Sequence, residues 1–513
     1  MKNYLLLLGM TFLLGSCTDT PAEDTAPPPN IVFLFADDLS YQAVRALGNE
    51  EVNTPNIDRL AQAGTTFTHT YNMGGWNGAI CVASRAMMIS GQYIWNAQKK
   101  AKQWSDKDST ALSDTWGRLM ARQGYDTYMS GKWHVAAPAD HVFDQAKHVR
   151  PGMPGDERGK RWRDINENIK KALIESGNVK DAMPAGYHRP NDENDNSWSP
   201  YDTTFGGFWE GGKHWSEVLK DDALGYIEEA SAKDNPFFMY LAFNAPHDPR
   251  QAPKSFVDQY PLDKVAVPEN FLPAYPWAKE IGNGIGLRDE DLAPYPRTEY
   301  AVKVHRQEYY AIITHLDEQI GLILDALEAS GKMDNTYIFF SADHGLSVGH
   351  HGLIGKQSLY DHSVRVPLMV AGPGIPEGQR LDQDLYLQDV MATSLEMAGI
   401  EQPDYVEFKS FLGLAKGEDK STHYSEIYGA YVNYQRMIRK DGYKLLVYPE
   451  VPKVLLFNME EDPLEMNDLA EKAANQEQVQ ALFNDLLQLQ EKMEDELDLQ
   501  PAFDAWMAAQ KES

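Results

Sequence analysis

Short apolar runs, each closed by a polar or turn-forming cluster, constrain this chain more than any other feature. The first, Ile31-Val32-Phe33-Leu34-Phe35-Ala36, ends in Asp37-Asp38. An apolar run of this length without polar alternation marks a strand covered on both faces, as in a parallel sheet. Tyr125 to Ser130 leads in the same way into Gly131-Lys132-Trp133-His134. Phe237 to Phe243 leads into Asn244-Ala245-Pro246-His247-Asp248-Pro249, and Tyr337 to Phe340 into Ser341-Ala342-Asp343-His344-Gly345. Val364 to Val370 is closed by Gly372-Pro373-Gly374. Segments of helical spacing lie between: Asn56 to Gly64, Thr115 to Gln123, Ser216 to Ala230, Tyr309 to Ser330 and Asp389 to Ala398. This alternation predicts an α/β fold, a doubly wound mixed sheet flanked by helices, with its site along the carboxyl ends of the strands.

From about residue 401 the pattern changes. Tyr424 to Ile427, Gln435 to Arg439, Tyr443 to Val447 and Val454 to Asn458 read as a small antiparallel sheet, and Gln476 to Glu496 as a helix. The 513 residues therefore divide into a catalytic domain over 30–400 and a smaller C-terminal α+β subdomain over 401–513. Lys147 to Glu217 reads as a long loop-like insertion. Its Trp198, Trp209, Trp215, His188, Arg189, Lys213 and His214 suit either sugar contacts or a plain surface lobe.

The amino terminus reads as a targeting segment. Lys2 is followed by an apolar run, Tyr4 to Leu14, too short to span a bilayer. Leu14-Gly15-Ser16-Cys17 then resembles a bacterial lipobox, with Cys17 the lipidated residue, so that residues 1–17 form a lipoprotein signal peptide. Residues 18–29, with Pro27-Pro28-Pro29, form a polar tether. The expected mature protein is exported and held to the membrane by lipid alone, at the cell surface or in the periplasm. A formal charge of −29, from 76 acidic and 47 basic residues, excludes nucleic acid as an expected partner. A cleft can still be locally positive.

Only one other cysteine exists, Cys81, in Cys81-Val82-Ala83-Ser84-Arg85. It follows a glycine-rich run and opens an apolar helical segment, where unpaired N–H groups favour an anion. Arg85, about one turn on, adds a fork suited to a tetrahedral oxyanion. A cysteine on a core helix also packs as a small hydrophobe, so this stretch alone leaves both readings open.

Taken in order, the Asp-Asp pair, Cys-x-Ala-Ser-Arg, Gly-Lys-Trp-His, Pro-His-x-Pro, Asp-His-Gly and Gly355-Lys356 resemble the type I, formylglycine-dependent sulfatases of the alkaline phosphatase superfamily. The likeness extends over nearly the whole chain. It implies an alkaline-phosphatase-like domain and a sulfuric ester hydrolase in which a maturase converts Cys81 to formylglycine (3-oxoalanine). Ala83 stands where proline is commoner, a form that fits the anaerobic radical-type maturase. The resemblance implies that Asp37, Asp38, Asp343, His344 and the modified Cys81 surround one Ca2+. Oxygen-rich ligation favours that ion. His344 stands where many relatives carry asparagine, and either ligates the metal or bonds the nucleophile.

By the same resemblance, one hydroxyl of the hydrated aldehyde attacks sulfur, and collapse of the other expels sulfate. Asp343 would accept the attacking proton, while Arg85 and Lys132 hold the diol and sulfate. His134 would assist collapse, Lys356 grip the sulfate, and His247, alone or with Lys356, protonate the leaving alcohol. Lys213, His214 and Arg250 are expected to contact substrate. The lipobox and aromatic insertion resemble polysaccharide-degrading sulfatases, so a sulfated carbohydrate is expected, of an algal type such as ulvan or carrageenan. A phosphonate or phosphodiester hydrolase of the same superfamily, and a disabled glycan-binding lipoprotein, are the alternatives.

Overall fold

The computed structural model describes residues 27–106, 109–154, 160–176 and 188–512. The signal peptide, Cys17 and the tether up to residue 26 lie outside them. Among the described residues no helix is long and apolar enough to cross a membrane.

The strands are β1 (Asn30–Ala36), β2 (Gly64–Tyr71), β3 (Gly74–Gly75), β4 (Asp126–Lys132), β5 (Gln145–Arg150), β6 (Trp209–Glu210), β7 (Lys213–His214) and β8 (Phe237–Ala242). They continue with β9 (Thr336–Ala342), β10 (Arg365–Ala371), β11 (Gln379–Tyr386), β12 (Glu426–Tyr431), β13 (Gln435–Lys440), β14 (Tyr443–Tyr448) and β15 (Lys453–Asn458). The main sheet has eight strands in the order β11-β2-β10-β9-β1-β8-β4-β5. It is mixed, because β10 runs antiparallel to both β2 and β9.

β1 is central and buried along its whole length. It pairs in parallel with β8 on one side, Phe33 opposite Tyr240, and with β9 on the other, Phe33 opposite Phe339. Parallel pairing in these registers brings the residues after Ala36, Ala242 and Ala342 out at one edge. β4 joins this group through Gly131 opposite Ala242. A Cβ at Gly131 would sit 2.0 Å from the Ala242 carbonyl oxygen, so only glycine allows that approach. The four strand ends expected to carry the site are therefore neighbours.

Three strands of this sheet, β2, β5 and β11, have no counterpart in the sequence expectation. β2 is threonine-rich, and β5 and β11 are edge strands with polar residues facing solvent, so none shows a continuous apolar run. The helix expected from Tyr309 begins at Glu299, capped by the Thr298 side chain. Of the charged residues in its first turns Glu299 is exposed and Lys303 and Arg306 are half-buried, but Glu308 is buried against Arg189 at 2.6 Å. The 147–217 insertion is also more structured than a loop. It holds most of β5, a helix at Lys160–Ser176, the β6-β7 hairpin and the start of the helix Trp215–Ser231.

The C-terminal sheet runs β15-β14-β13-β12-β3. Its four long strands are antiparallel, and β3 adds from the first part of the chain by pairing with Ala430 and Tyr431. Helices Gln476–Met493 and Gln500–Glu512 pack on it. A buried ion cluster joins the two parts. Lys444 on β14 donates to Asp361, which lies just before β10, and to Glu465 at 2.7 Å, while the Asp361 N–H donates to Glu465. Burial pushes the Glu465 carboxyl up to about 7, with Lys444 opposing.

Replacing Lys444 with Met leaves two buried carboxylates facing each other. The expected loss is about 3–5 kcal/mol of folding stability. Chemical denaturation reads it, and a midpoint matching the unsubstituted protein would contradict the assignment.

Candidate active site

The site begins where β1 runs out of apolar residues. The Asp37 N–H donates to the Ala245 carbonyl at 3.1 Å, and the Asp343 N–H donates to the Ala36 carbonyl at 3.2 Å, tying three strand ends together. Asp38 adopts φ +64°, in the left-handed region that non-glycine residues rarely occupy. It is held there by its own N–H donating to Asp343 Oδ1 at 3.1 Å and by the Tyr309 hydroxyl donating to its carbonyl at 2.6 Å.

Cys81 is the second residue of the helix Ile80–Ser90, whose N-cap Ala79 supplies no side-chain cap. The Val82 N–H donates to the Ala79 carbonyl at 2.9 Å instead. One turn on, Arg85 is fully buried over the Phe35 ring. Its Nε donates to Asp343 Oδ2 at 2.9 Å and its Nη1 to the Lys132 carbonyl at 3.0 Å.

Each acidic side chain meets its own cation. Lys132 pairs with Asp37, Lys356 with Asp38 at 2.9 Å, and Arg85 with Asp343. His344 turns Nδ1 to the Gly345 carbonyl at 2.8 Å, leaving Nε2 at 3.0 Å from Asp38 Oδ1 and 3.6 Å from Asp343 Oδ1. His247 likewise uses Nδ1 on the Asp248 carbonyl and aims Nε2 at Asp38 Oδ2, 3.8 Å away. His134 places Nδ1 at 3.4 Å from Cys81 Sγ, on a backbone with φ +54°. All ten residues expected as catalytic or metal-binding thus meet around position 81.

Burial pushes Asp37 well above the usual carboxylate range, and the nearby Asp343 adds to it. Burial acts on Asp38 in the same sense, but His247, Lys356 and His344 bring it down to about 2. Burial also opposes ionisation of Cys81, yet Lys132, Lys356 and His134 hold its thiol well below the ordinary range. Burial depresses His247 strongly, with Asp38 the main opposing influence.

The donor set fits a divalent cation. One donor atom each from Asp37, Cys81, Asp343 and His344 lies within 4.8 Å of the others, and Asp37, Asp38 and His247 form an overlapping group. Asp37 Oδ1 is buried without a hydrogen-bond partner, which a cation between the carboxylates would satisfy.

A cavity of about 260 Å³ opens above this cluster, with Cys81, His134, His247 and Lys356 on it. Its walls include Met153, Leu287, Arg288, Asp289 and Gln357, which motif reading did not single out. The available signal was the run Arg288-Asp289-Glu290-Asp291 inside a proline- and glycine-rich passage. Glu290 from that run accepts the N–H groups of Ile354 and Gly355, the residues before Lys356, and pairs with Arg297 at 2.6 Å. Gly152 was missed as well. It lies flat against the His134 ring, and Asn244 holds its loop by donating to the Pro151 carbonyl at 2.9 Å.

The three expected substrate contacts are not on this cavity. Lys213 is exposed and paired with Asp221 at 2.6 Å. His214 is buried and caps the helix Trp215–Ser231 by accepting the Ser216 N–H. Arg250 is buried beside His305 and the Tyr309 ring. Nor do Trp198, Trp209 and Trp215 line it. Trp198 packs near Arg189 and Phe205, Trp209 bonds Gln251, and Trp215 lies under Arg150.

Residues 29–400 match the family model described as Sulfatase, and residues 349–492 match that described as N-sulphoglucosamine sulphohydrolase, C-terminal. The first match covers well over half the chain. The chain belongs to the sulfatase family. It is similar to a protein named Sulfatase from Formosa agariphila, at 28% identity over 87% of this chain and 84% of that one. It is also similar to an Ulvan-active sulfatase of the same organism, at 26% identity over 91% and 83%. Among solved structures, the phosphonate monoester hydrolase of Agrobacterium radiobacter shares the fold with a TM-score of 0.67, at 20% identity over 91% and 96%. This sulfatase is accordingly a sulfuric ester hydrolase with an alkaline-phosphatase-like α/β fold.

In this sulfatase a Cβ at Gly152 would lie 2.6 Å from His134 Cε1 and displace the imidazole. Gly152→Ala should lower kcat for sulfate ester hydrolysis about tenfold to a hundredfold, the size expected of a small misplacement. The thermal midpoint should move little. An unchanged kcat would show that His134 does not act in the rate-limiting chemistry.

Proposed function

We propose that this sulfatase removes sulfate from sugar units of a sulfated polysaccharide or oligosaccharide, using formylglycine made from Cys81 and one calcium ion. The observation that carries the reading is the convergence on position 81 of Arg85, Lys132, His134, His247, Asp343 and Lys356. Asp37, Asp38, Asp343 and His344, with the modified residue 81, would hold the cation, which would supply Lewis-acid polarisation of the sulfate oxygens, and the hydrated aldehyde would supply the nucleophilic hydroxyl.

The chain's own groups do the rest. Asp343, fixed by Arg85, is the base beside position 81. Lys132, paired with Asp37, and Lys356, paired with Asp38, bring positive charge to the anion. His247 Nε2 lies where it can give a proton to the departing alcohol oxygen. Because burial disfavours its charged form, entry of the sulfate anion is what raises its hold on that proton. His134, with Nδ1 3.4 Å from Cys81 Sγ, would act as a base toward the side chain at position 81.

The ulvan-active relative, the leader and the expected lipid anchor at Cys17 support an extracytoplasmic glycan, of an algal type such as ulvan or carrageenan. A sulfatase-maturating enzyme is the implied partner. The fold shared with a phosphonate monoester hydrolase favours a second reading, hydrolysis at phosphorus.

Turnover of para-nitrophenyl sulfate and para-nitrophenyl phosphate separates the two. The proposal expects sulfate ester to be preferred by at least tenfold in kcat/KM, and Cys81→Ala to abolish turnover while retaining substrate binding. A preference for the phosphorus ester would replace the proposal with the second reading. Matured protein that binds a sulfated glycan but turns over neither ester would instead favour a glycan-binding protein. Equal loss of binding and turnover in Cys81→Ala would leave that alternative open.

A further inference from the structure

Lys356 sits in an irregular segment. The chain between β9 and the short helix Asp361–Val364 forms neither helix nor strand. The lysine must nonetheless reach Asp38, with Nζ at 2.9 Å from Oδ1 and 3.2 Å from Oδ2. A flexible four-carbon stem is aimed reproducibly only from a fixed backbone.

That backbone is fixed on both sides of Lys356 by buried side chains from other parts of the chain. Upstream stands Glu290, whose carboxylate accepts the Gly355 N–H at 2.9 Å and the Ile354 N–H at 3.1 Å. Arg297, paired with Glu290 at 2.6 Å, donates its Nε to the Gly352 carbonyl at 3.2 Å. A Cβ at Gly355 would lie 2.6 Å from Gln357 Oε1 and 3.0 Å from Glu290 Oε1, so glycine lets both side chains approach.

Downstream stands Gln435, the first residue of β13 and fully buried. Its Nε2 donates to the Gln357 carbonyl at 2.8 Å and to the Ile281 carbonyl at 2.9 Å, while its Oε1 accepts the Leu359 N–H at 3.2 Å. The same sheet holds the approach to position 81. The Ala430 N–H donates to the Met73 carbonyl and the Val432 N–H to the Gly75 carbonyl, each at 2.9 Å. Gln357 closes the frame, its Nε2 donating to the Gly78 carbonyl at 2.8 Å.

We propose that Glu290 and Gln435 are positioning residues: they clamp the backbone on either side of Lys356 and so set where its ammonium meets the sulfate. The C-terminal sheet then belongs to the catalytic apparatus as well as to the fold. This rests on the role given to Lys356 above and names what that role depends on. Neither side chain lines the cavity, so both act through Lys356 and not by touching substrate. Without the Gln435 amide, two carbonyls and one N–H lose this buried partner, and the segment shifts to pair them elsewhere.

The test uses the matured enzyme with para-nitrophenyl sulfate. Gln435→Met, similar in size but without the amide, and Glu290→Gln, without the charge, should each lower kcat/KM about tenfold to a hundredfold, the size expected of a small misplacement. Phe503→Leu is the control, because it breaks the stack on Phe483 (ring centroids 3.7 Å apart) and loosens the same subdomain away from Lys356. It should lower the thermal midpoint and leave kcat/KM unchanged. In a Lys356→Met background no ammonium remains to be aimed, so the added loss from Gln435→Met should shrink several-fold.

Full activity in either clamp variant would overturn the proposal. So would a loss in Phe503→Leu matching theirs, or losses that multiply in full with Lys356→Met. Where Lys356→Met shows no measurable turnover, the contrast between Gln435→Met and Phe503→Leu decides alone. Undiminished turnover in Lys356→Met would overturn the grip assigned to Lys356 and this proposal with it. Impaired Lys356→Met beside unimpaired clamp variants would overturn this one alone.

Discussion

Three carboxylates, Asp37, Asp38 and Asp343, are buried at the ends of two paired strands, and the rest of the structure answers to that crowding. Unpaired, such groups are strongly disfavoured in a protein interior. Here each has a cation of its own, from a different part of the chain: Lys132 from β4, Lys356 from the loop after β9, and Arg85 from the helix that opens with Cys81. Lys356 also lines the cavity above position 81, and under the proposed function the three cations would together face a tetrahedral anion there. Pairing in the resting site and binding of an anion are two uses of one arrangement.

The arrangement needs exact aim more than it needs a large pocket. Non-glycine residues sit in the left-handed region at Asp38 and His134, just past the ends of β1 and β4. Such conformations persist where surrounding contacts over-determine them, and here the Tyr309 hydroxyl, the Asp343 carboxylate and the flat face of Gly152 do so. The Lys356 loop is fixed from behind by Glu290 and Arg297. The cavity left over, about 260 Å³, is small beside the ~300–1,000 Å³ common for ligand pockets.

Much of this was legible in the chain because two signals coincide at the strand ends. β1, β4, β8 and β9 announce themselves as apolar runs, and a charged string directly after such a run has to be neutralised or used. Asp37, Asp38, Lys132, His134, His247, Asp343 and His344 carried that signal, and Lys356 follows Asp343 in the chain. Cys81 and Arg85 were legible from the helix start and the Cys-x-Ala-Ser-Arg string. β2, β5 and β11 gave no such signal, since threonine-rich and edge strands lack continuous apolarity. Periodicity is equally silent on where a loop side chain points. Lys213, His214 and Arg250 had the right chemistry for substrate contact, yet they serve as a surface ion pair, a helix cap and a buried stack. Arg288 and Asp289 lie in an irregular passage, and only folding brings them to the cavity. The first turns of the helix Glu299–Ala329 were hidden for a related reason, because the buried ion pair of Glu308 with Arg189 makes an interior face look solvated.

The central claim is that these cations and carboxylates are built around an oxidised side chain at position 81. Peptide mass spectrometry of the segment spanning Cys81, on protein co-expressed with a sulfatase-maturating enzyme, tests it most directly. The account predicts a peptide in which the thiol-bearing carbon has become an aldehyde, in a proportion that tracks specific activity across preparations. Fully active protein carrying only the unmodified thiol would contradict it.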